Sequence, residues 1–214
     1  MANESYGTLL LMTLLLSVST PSLSETRKFS LNVGPNIELA NGTPANDIIG
    51  FRMGGHYIWK PGLALGIALD IYQYDFEKPT KAVSLVQDES KGVIDAAATS
   101  ANITAWLERS LLSSKDNLYW KAGFGIGIVS IDDVSGPVKG GGTFNITTEP
   151  GTEFIALAGL GYRYNFSKNI AIKFETDLNQ HFANWKVKDK ITGNTGSVDD
   201  YTTYGFRLGF SYLF

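Results

Sequence analysis

Large apolar residues alternate with small or polar ones through most of the chain, which is the mark of β-strands with one apolar face. The last segment, YTTYGFRLGFSYLF, puts Tyr204, Phe206, Leu208, Phe210, Tyr212 and Phe214 on one phase and Thr203, Gly205, Arg207, Gly209 and Ser211 on the other. Leu118, Trp120, Ala122, Phe124, Ile126 and Ile128 stand in the same way against Tyr119, Lys121, Gly123, Gly125 and Gly127. Residues 63–71 and 170–178 repeat the beat, and weaker versions occupy 27–39, 47–59, 96–112 and 153–166. The pattern predicts about eight strands, and from Phe29 onward no segment sustains a helical period.

The connections alternate between tight and long. Lys60-Pro61-Gly62, residues 113–117 and Ser167-Lys168-Asn169 have the length and composition of hairpin turns. Longer polar stretches lie at 40–46, 78–95, 134–152 and 187–200. Short turns on one rim and long loops on the other describe an all-β, eight-stranded, antiparallel up-and-down transmembrane barrel. Closure satisfies every backbone group inside lipid and leaves no open strand edge.

Charged positions decide which face looks inward. Arg52, Asp70, Glu108, Lys121, Arg163, Lys173, Glu175, Asp177 and Arg207 share the phase opposite the apolar residues, often in mid-strand. An apolar core would penalise them heavily, whereas a polar barrel interior can pair and hydrate them. The apolar face therefore meets lipid. Gly123, Gly125, Gly127, Gly159, Gly161, Gly205 and Gly209 fall on the inner phase and leave room for long side chains in a narrow lumen. On the outer phase, Trp59, Trp120, Tyr164, Phe166, Tyr212 and Phe214 lie near the short turns or the C-terminus, where an aromatic girdle is expected.

Composition narrows the function classes. Charged residues make up 18% of the chain, against about 25% in typical domains, while glycines number 23 and aromatics reach 12%. A net charge of -3 with no Lys/Arg block gives no field that would attract nucleic acid. Absence of cysteine excludes disulfides, thiolate metal sites, a Cys nucleophile and a lipid-modified N-terminal Cys. The apolar run LLLMTLLL at 9–16 is too short to span a bilayer but has the length of a signal-peptide core. With Ser22-Leu23-Ser24 as the cleavage site, residues 1–24 are expected to be a signal peptide and 25–214 the barrel. The segment before the run departs from that pattern by carrying Glu4 and no Lys or Arg.

The final strand, YGFRLGFSYLF, resembles the C-terminal signal of outer-membrane β-barrel proteins, with aromatics at alternate positions and a terminal Phe214. The mature chain is similar in pattern to the barrel domains of the OmpA, OmpX and OmpW type. The resemblance implies that Phe210, Tyr212 and Phe214 are recognised by the barrel-assembly machinery. It also implies a monomer in the cell outer membrane of a Gram-negative bacterium, in contact with outer-membrane lipid and lipopolysaccharide.

Candidate chemistry is sparse. His56 and His181 are the only histidines. The stretch Gln180-His181-Phe182-Ala183-Asn184 resembles the His-x-Ser segment of outer-membrane lipid A deacylases, but Ala183 stands where the serine nucleophile would be. A rim position bonded to loop backbone is expected for His181, and a place in the lumenal polar network for His56. Gly123 to Gly127 lacks the spacing and following helix of a nucleotide-binding loop. Asp132-Asp133 and Asp199-Asp200 are read as solvated loop carboxylates rather than cation ligands. Neither cofactor nor catalytic residue is expected. The sequence points to a structural or surface-interaction role, with a lumen filled by charge and specificity in loops 78–95, 134–152 and 187–200. The rivals are an OmpW-like channel for small apolar solutes, a lipid A modifying enzyme and a lipocalin-like soluble barrel.

Overall fold

A computed structural model describes residues 29–41, 48–76, 96–111, 117–137, 143–184, 186–191, 193, 195–197 and 200–214. The expected signal peptide, loop 78–95 and most of 40–46 lie outside the described residues. Eight long strands close an antiparallel barrel in the order β1-β12-β9-β8-β5-β4-β3-β2. They are β1 (Phe29–Asn41), β2 (Ile48–Lys60), β3 (Leu63–Phe76), β4 (Ala96–Ser110), β5 (Leu118–Ile131), β8 (Gly151–Asn165), β9 (Ile170–Asn184) and β12 (Tyr201–Leu213).

Register fixes the dimensions of the barrel. Paired residues traced once round the wall run from Ser30 through His56, Gly66, Trp106, Gly123, Leu157, Asn179 and Thr203 back to β1 at Ala40. With strands about 4.8 Å apart and a rise of about 3.3 Å per residue, that stagger corresponds to a tilt of about 40° and a radius of about 8 Å. Such a lumen is just wide enough for side chains to fill.

Burial follows the two-residue period. In β1 the outward residues Phe29, Leu31, Val33, Ile37 and Leu39 are exposed, while Ser30, Asn32, Asn36 and Glu38 are buried. From Phe29 to Leu39 the exposed apolar band is about 25 Å tall, the height of the lipid-facing surface of an outer-membrane barrel. Above it the outward positions turn polar at Gln73, Thr99, Ser130 and Thr152. Below it the aromatics Trp59, Tyr164, Phe166, Tyr212 and Phe214 are all exposed and cluster by the short turns, with Trp120 half-buried.

The tight turns have local causes. Gly62 takes a positive φ of 74° after Pro61, a conformation that glycine adopts without strain. At the β8–β9 turn the Ser167 hydroxyl accepts from the amides of Asn169 (3.2 Å) and Ile170 (3.1 Å). Closure is completed where the Phe214 amide donates to the Phe29 carbonyl at 2.9 Å.

Sequence pattern and structure part at the far rim. The polar stretches 134–152 and 187–200, expected to be loops, contain β6 (Val134–Pro137), β7 (Thr143–Thr148), β10 (Lys186–Asp189) and β11 (Thr195–Ser197). These pair as a second, four-stranded sheet in the order β11-β10-β7-β6. Segments this short and polar carry no clear alternation, so period alone does not reveal them. Lys190 donates to Asp133 at 2.6 Å and ties the β10–β11 turn to the start of the β6–β7 hairpin.

Candidate functional site

The lumen is where the chain gathers its chemistry. All nine charged residues singled out from the sequence are on the inward phase; Arg52 pairs with Asp70, and Arg207 with Glu38 and Asp177, across neighbouring strands, and the others also reach partners on strands that are not their neighbours. At the short-turn end, Glu108 accepts from Arg163 at 2.6 Å and from Lys173 at 3.1 Å, and His56 Nε2 lies 3.1 Å from it. Asn32 meets His56 Nδ1 at 2.6 Å. One tier up, Glu175 accepts from Lys121 at 2.5 Å and from the Tyr119 hydroxyl at 2.6 Å. Lys121 also reaches Asp177 at 2.9 Å, and Arg207 pairs with Asp177. Arg52 forms two parallel bonds to Asp70, both 2.7 Å, the fork geometry that makes arginine–carboxylate pairs strong.

Toward the far rim the network continues through residues that the charge pattern did not single out. Glu38 accepts from Tyr72 at 2.5 Å, Thr203 at 2.7 Å, Asn179 at 3.1 Å and Arg207 at 3.3 Å. Asn36 bridges Tyr72 (2.5 Å) and Asp70 (3.1 Å). Glu38 and Glu153 belong to the inward phases of the two weakly patterned segments 27–39 and 153–166, and extending the alternation through those segments would have found them.

Aromatic rings fill the space between the ions. Trp106 lies across Gly66 and beneath Arg52 (5.0 Å) and Lys121 (5.5 Å), while Tyr119 lies across Gly161 with Lys173 4.8 Å above its ring. A Cβ at Gly66 would stand 2.2 Å from the indole, so the glycine is what admits the ring. Apolar residues Ile48, Tyr72, Ala98 and Val129, with Ile131, Ala183 and Tyr201 against them, cap the network at the far end.

His181 is not at the rim. It is 3% exposed, with Nδ1 3.0 Å from Glu153 and Nε2 3.2 Å from Thr203, and it stacks on Tyr201 with ring centroids 4.3 Å apart. Its place on the inward phase of β9, rather than in a loop, overturns the expectation of backbone bonding. A carboxylate, an imidazole and a hydroxyl in line resemble an acyl-transfer triad. Thr203 is fully buried, however, and its hydroxyl donates to Glu38, so no substrate carbonyl can reach it.

Among the described residues no cluster of His, Asp or Glu has the arrangement of a metal site. Asp133 is occupied by Lys190, and Asp200 accepts from the Ala183 amide at 3.0 Å.

No protein-family model matches the chain, and a comparison with curated proteins finds no match. Among solved structures, the chain is similar to the outer membrane protein OprG of Pseudomonas aeruginosa, with a TM-score of 0.51 and 11% identity over 89% of this chain and 97% of that one. It is also similar to Ail, the attachment invasion locus protein of Yersinia pestis, in complex with the heparin analogue sucrose octasulfate, with a TM-score of 0.49 and 16% identity over 88% of this chain and all of Ail. Neisserial surface protein A gives a TM-score of 0.48 and 14% identity over 87% and 97% of the two chains. Identities this low speak to the fold alone. The chain has the fold of the small outer-membrane β-barrels.

Proposed function

We propose that this protein is an outer-membrane barrel whose lumen is a structural plug and whose function is carried by what it presents above the membrane. The observation that carries this reading is the filled interior. Paired charges, hydrogen-bonded amides and aromatic rings follow one another from Arg163 and Glu108 at the short-turn end to Glu153 and Tyr201 at the other. A barrel about 8 Å in radius at its backbone and packed in this way leaves no continuous water column. Neither a diffusive pore nor passage of a small apolar solute through the interior is compatible with it.

The surface on offer is then the β6–β7–β10–β11 sheet with the loops around it. Lys186, Lys188 and Thr195 are exposed there, with Thr195 paired across from Lys188. Outer-membrane lipid and lipopolysaccharide are the standing partners of the apolar band and the rim. The aromatic residues Phe210 and Tyr212 on the outside of β12 and Phe214 directly after it, all exposed, are the recognition signal for the assembly machinery. The role is non-catalytic and the barrel acts as a monomer.

The test is a planar-bilayer recording on the purified, folded protein, alongside fractionation and a gel-mobility comparison of boiled and unboiled samples. Outer-membrane partition, a heat-dependent mobility shift and no large stable conductance are expected. A large, stable open state would overturn the plugged-lumen reading. A soluble protein with no mobility shift would overturn the membrane assignment. Phe214→Ala is expected to lower the heat-modifiable fraction in the outer membrane without changing the urea midpoint of the molecules that do fold.

A further inference from the structure

The ladder that closes the barrel has one interruption. Along β1 and β12 the register runs from Ser30 opposite Leu213 to Asn41 opposite Thr202, but Gly34 and Pro35 have no paired residue. The bond from the Phe214 amide to the Phe29 carbonyl sets the alternation of the ladder. It makes Pro35 and Leu208 a position where both residues would exchange N–H···O bonds. Proline has no N–H to give, so the Leu208 carbonyl loses its donor from β1. That oxygen leans to the lumenal side, for a Cβ built on inward-facing Gly34 would stand 1.9 Å from it.

Behind the interruption is a cavity of about 30 Å³. Gly34, Leu208 and Gly209 line it from the wall, and Asn32, Arg52, Trp106 and Arg207 reach it from the lumen. Asn32 Oδ1, Trp106 Nε1, Arg52 Nη1 and Arg207 Nε all lack a hydrogen-bond partner, and each of these side chains is more than nine-tenths buried. Buried polar atoms are rarely left unpaired, and a polar cavity of this size is large enough for water.

We propose that this cavity is a built water site, in which an ordered water molecule takes the place of the missing ladder bond. It accepts from the Trp106 indole N–H and an arginine N–H, and it donates to Asn32 Oδ1 and the Leu208 carbonyl. Donors and acceptors both face the cavity, which suits water and not an anion. Arg52, Lys173 and Arg207, which line the cavity with Glu175, already have carboxylate partners, so none of them is left without a counter-charge for an anion to satisfy. On the lipid side the same interruption is flanked by apolar Ile37, Phe206 and Leu208, so bulk water cannot exchange through the wall there.

The test uses the full folded chain in lipid nanodiscs with ¹⁵N-labelled tryptophan, the indole resonance being assigned by its loss in Trp106→Phe. A water cross-peak to the Trp106 indole proton, with the sign of a long-lived molecule, is expected in the wild type. Its absence would overturn the proposal without recourse to any variant. Gly209→Ala gives a second readout. A Cβ there meets nothing nearer than the Val33 carbonyl at 3.9 Å and Lys173 Cβ at 4.0 Å, so the methyl enters the cavity without a clash. Loss of the cross-peak and a lower urea midpoint are expected, because the methyl displaces the water and pairs with none of its partners. A higher midpoint would mean that the methyl filled a dry void, and would overturn the proposal. So would a cross-peak or midpoint that changes when chloride is replaced by bromide or nitrate, since the occupant would then be an anion.

Discussion

Replacing Asp70 by asparagine tests whether the lumen is a sealed structural core or a hydrated channel. Arg52 is 7% exposed and Asp70 1%, and the guanidinium gives two 2.7 Å bonds to the carboxylate. Removing one partner of a buried pair leaves the other charge uncompensated, at about 3–5 kcal/mol. Two contacts moderate that cost here. Glu175 lies 3.7 Å from Arg52 Nη1, and the Thr104 hydroxyl accepts from Nη2 at 3.0 Å. The lower end of the range is therefore expected, about 3 kcal/mol, or roughly two orders of magnitude in the folding equilibrium. Reversible urea unfolding in lipid vesicles, followed by tryptophan fluorescence, measures it. Combining Arg52→Met with Asp70→Leu removes both charges and is expected to recover most of the loss, as a double-mutant cycle would show. A cost below about 1 kcal/mol for Asp70→Asn, the range of solvent-exposed ion pairs, would refute the reasoning. Water would then be screening the pair, and the filled-lumen reading of function would fall with it.

Three further outcomes follow from the geometry. Ile67→Arg, at an outward position 59% exposed in the middle of the apolar band, is expected to destabilise the barrel in vesicles by about 2–4 kcal/mol; a negligible effect would place that face in water. Gly66→Ala drives a methyl into the Trp106 ring at 2.2 Å and is expected to cost about 1–3 kcal/mol by overpacking, with an altered near-UV dichroism of the indole; a stabilising effect would refute the contact. Outside the membrane, the hydrogen bond from Lys190, with a second from Thr147, holds Asp133 below the ordinary aspartate value. A depressed carboxylate stabilises above its unfolded pKa and loses that contribution as pH falls through its folded one. Amide protection in β6 and β10 is therefore expected to drop below the usual aspartate range in the wild type and not in Lys190→Ala; equal loss in both would exclude the bridge.

The sequence carries the phase of each strand but not its height in the barrel, and the division between legible and illegible runs along that line. Side chains alternate with a period of two, so one look at Arg207 among Phe206 and Leu208 says that it points inward. Which anion it meets depends on a stagger accumulated over eight strands, and no local pattern encodes that. Arg207 stands opposite Glu175 in the ladder, yet it bonds Asp177 and Glu38. Arg163 and Lys173 are ladder neighbours of like charge, reconciled because Glu108 reaches both from another strand and Glu175 also meets Lys173. The same limit explains His181. Its phase is readable in the sequence but the length of β9 is not: the strand runs on to Asn184 and carries the rim beyond His181. Pro35 shows the converse. A proline within an alternating strand is visible in the sequence as a lost donor, but only the register shows that its partner is Leu208 and that unpaired polar atoms stand behind it.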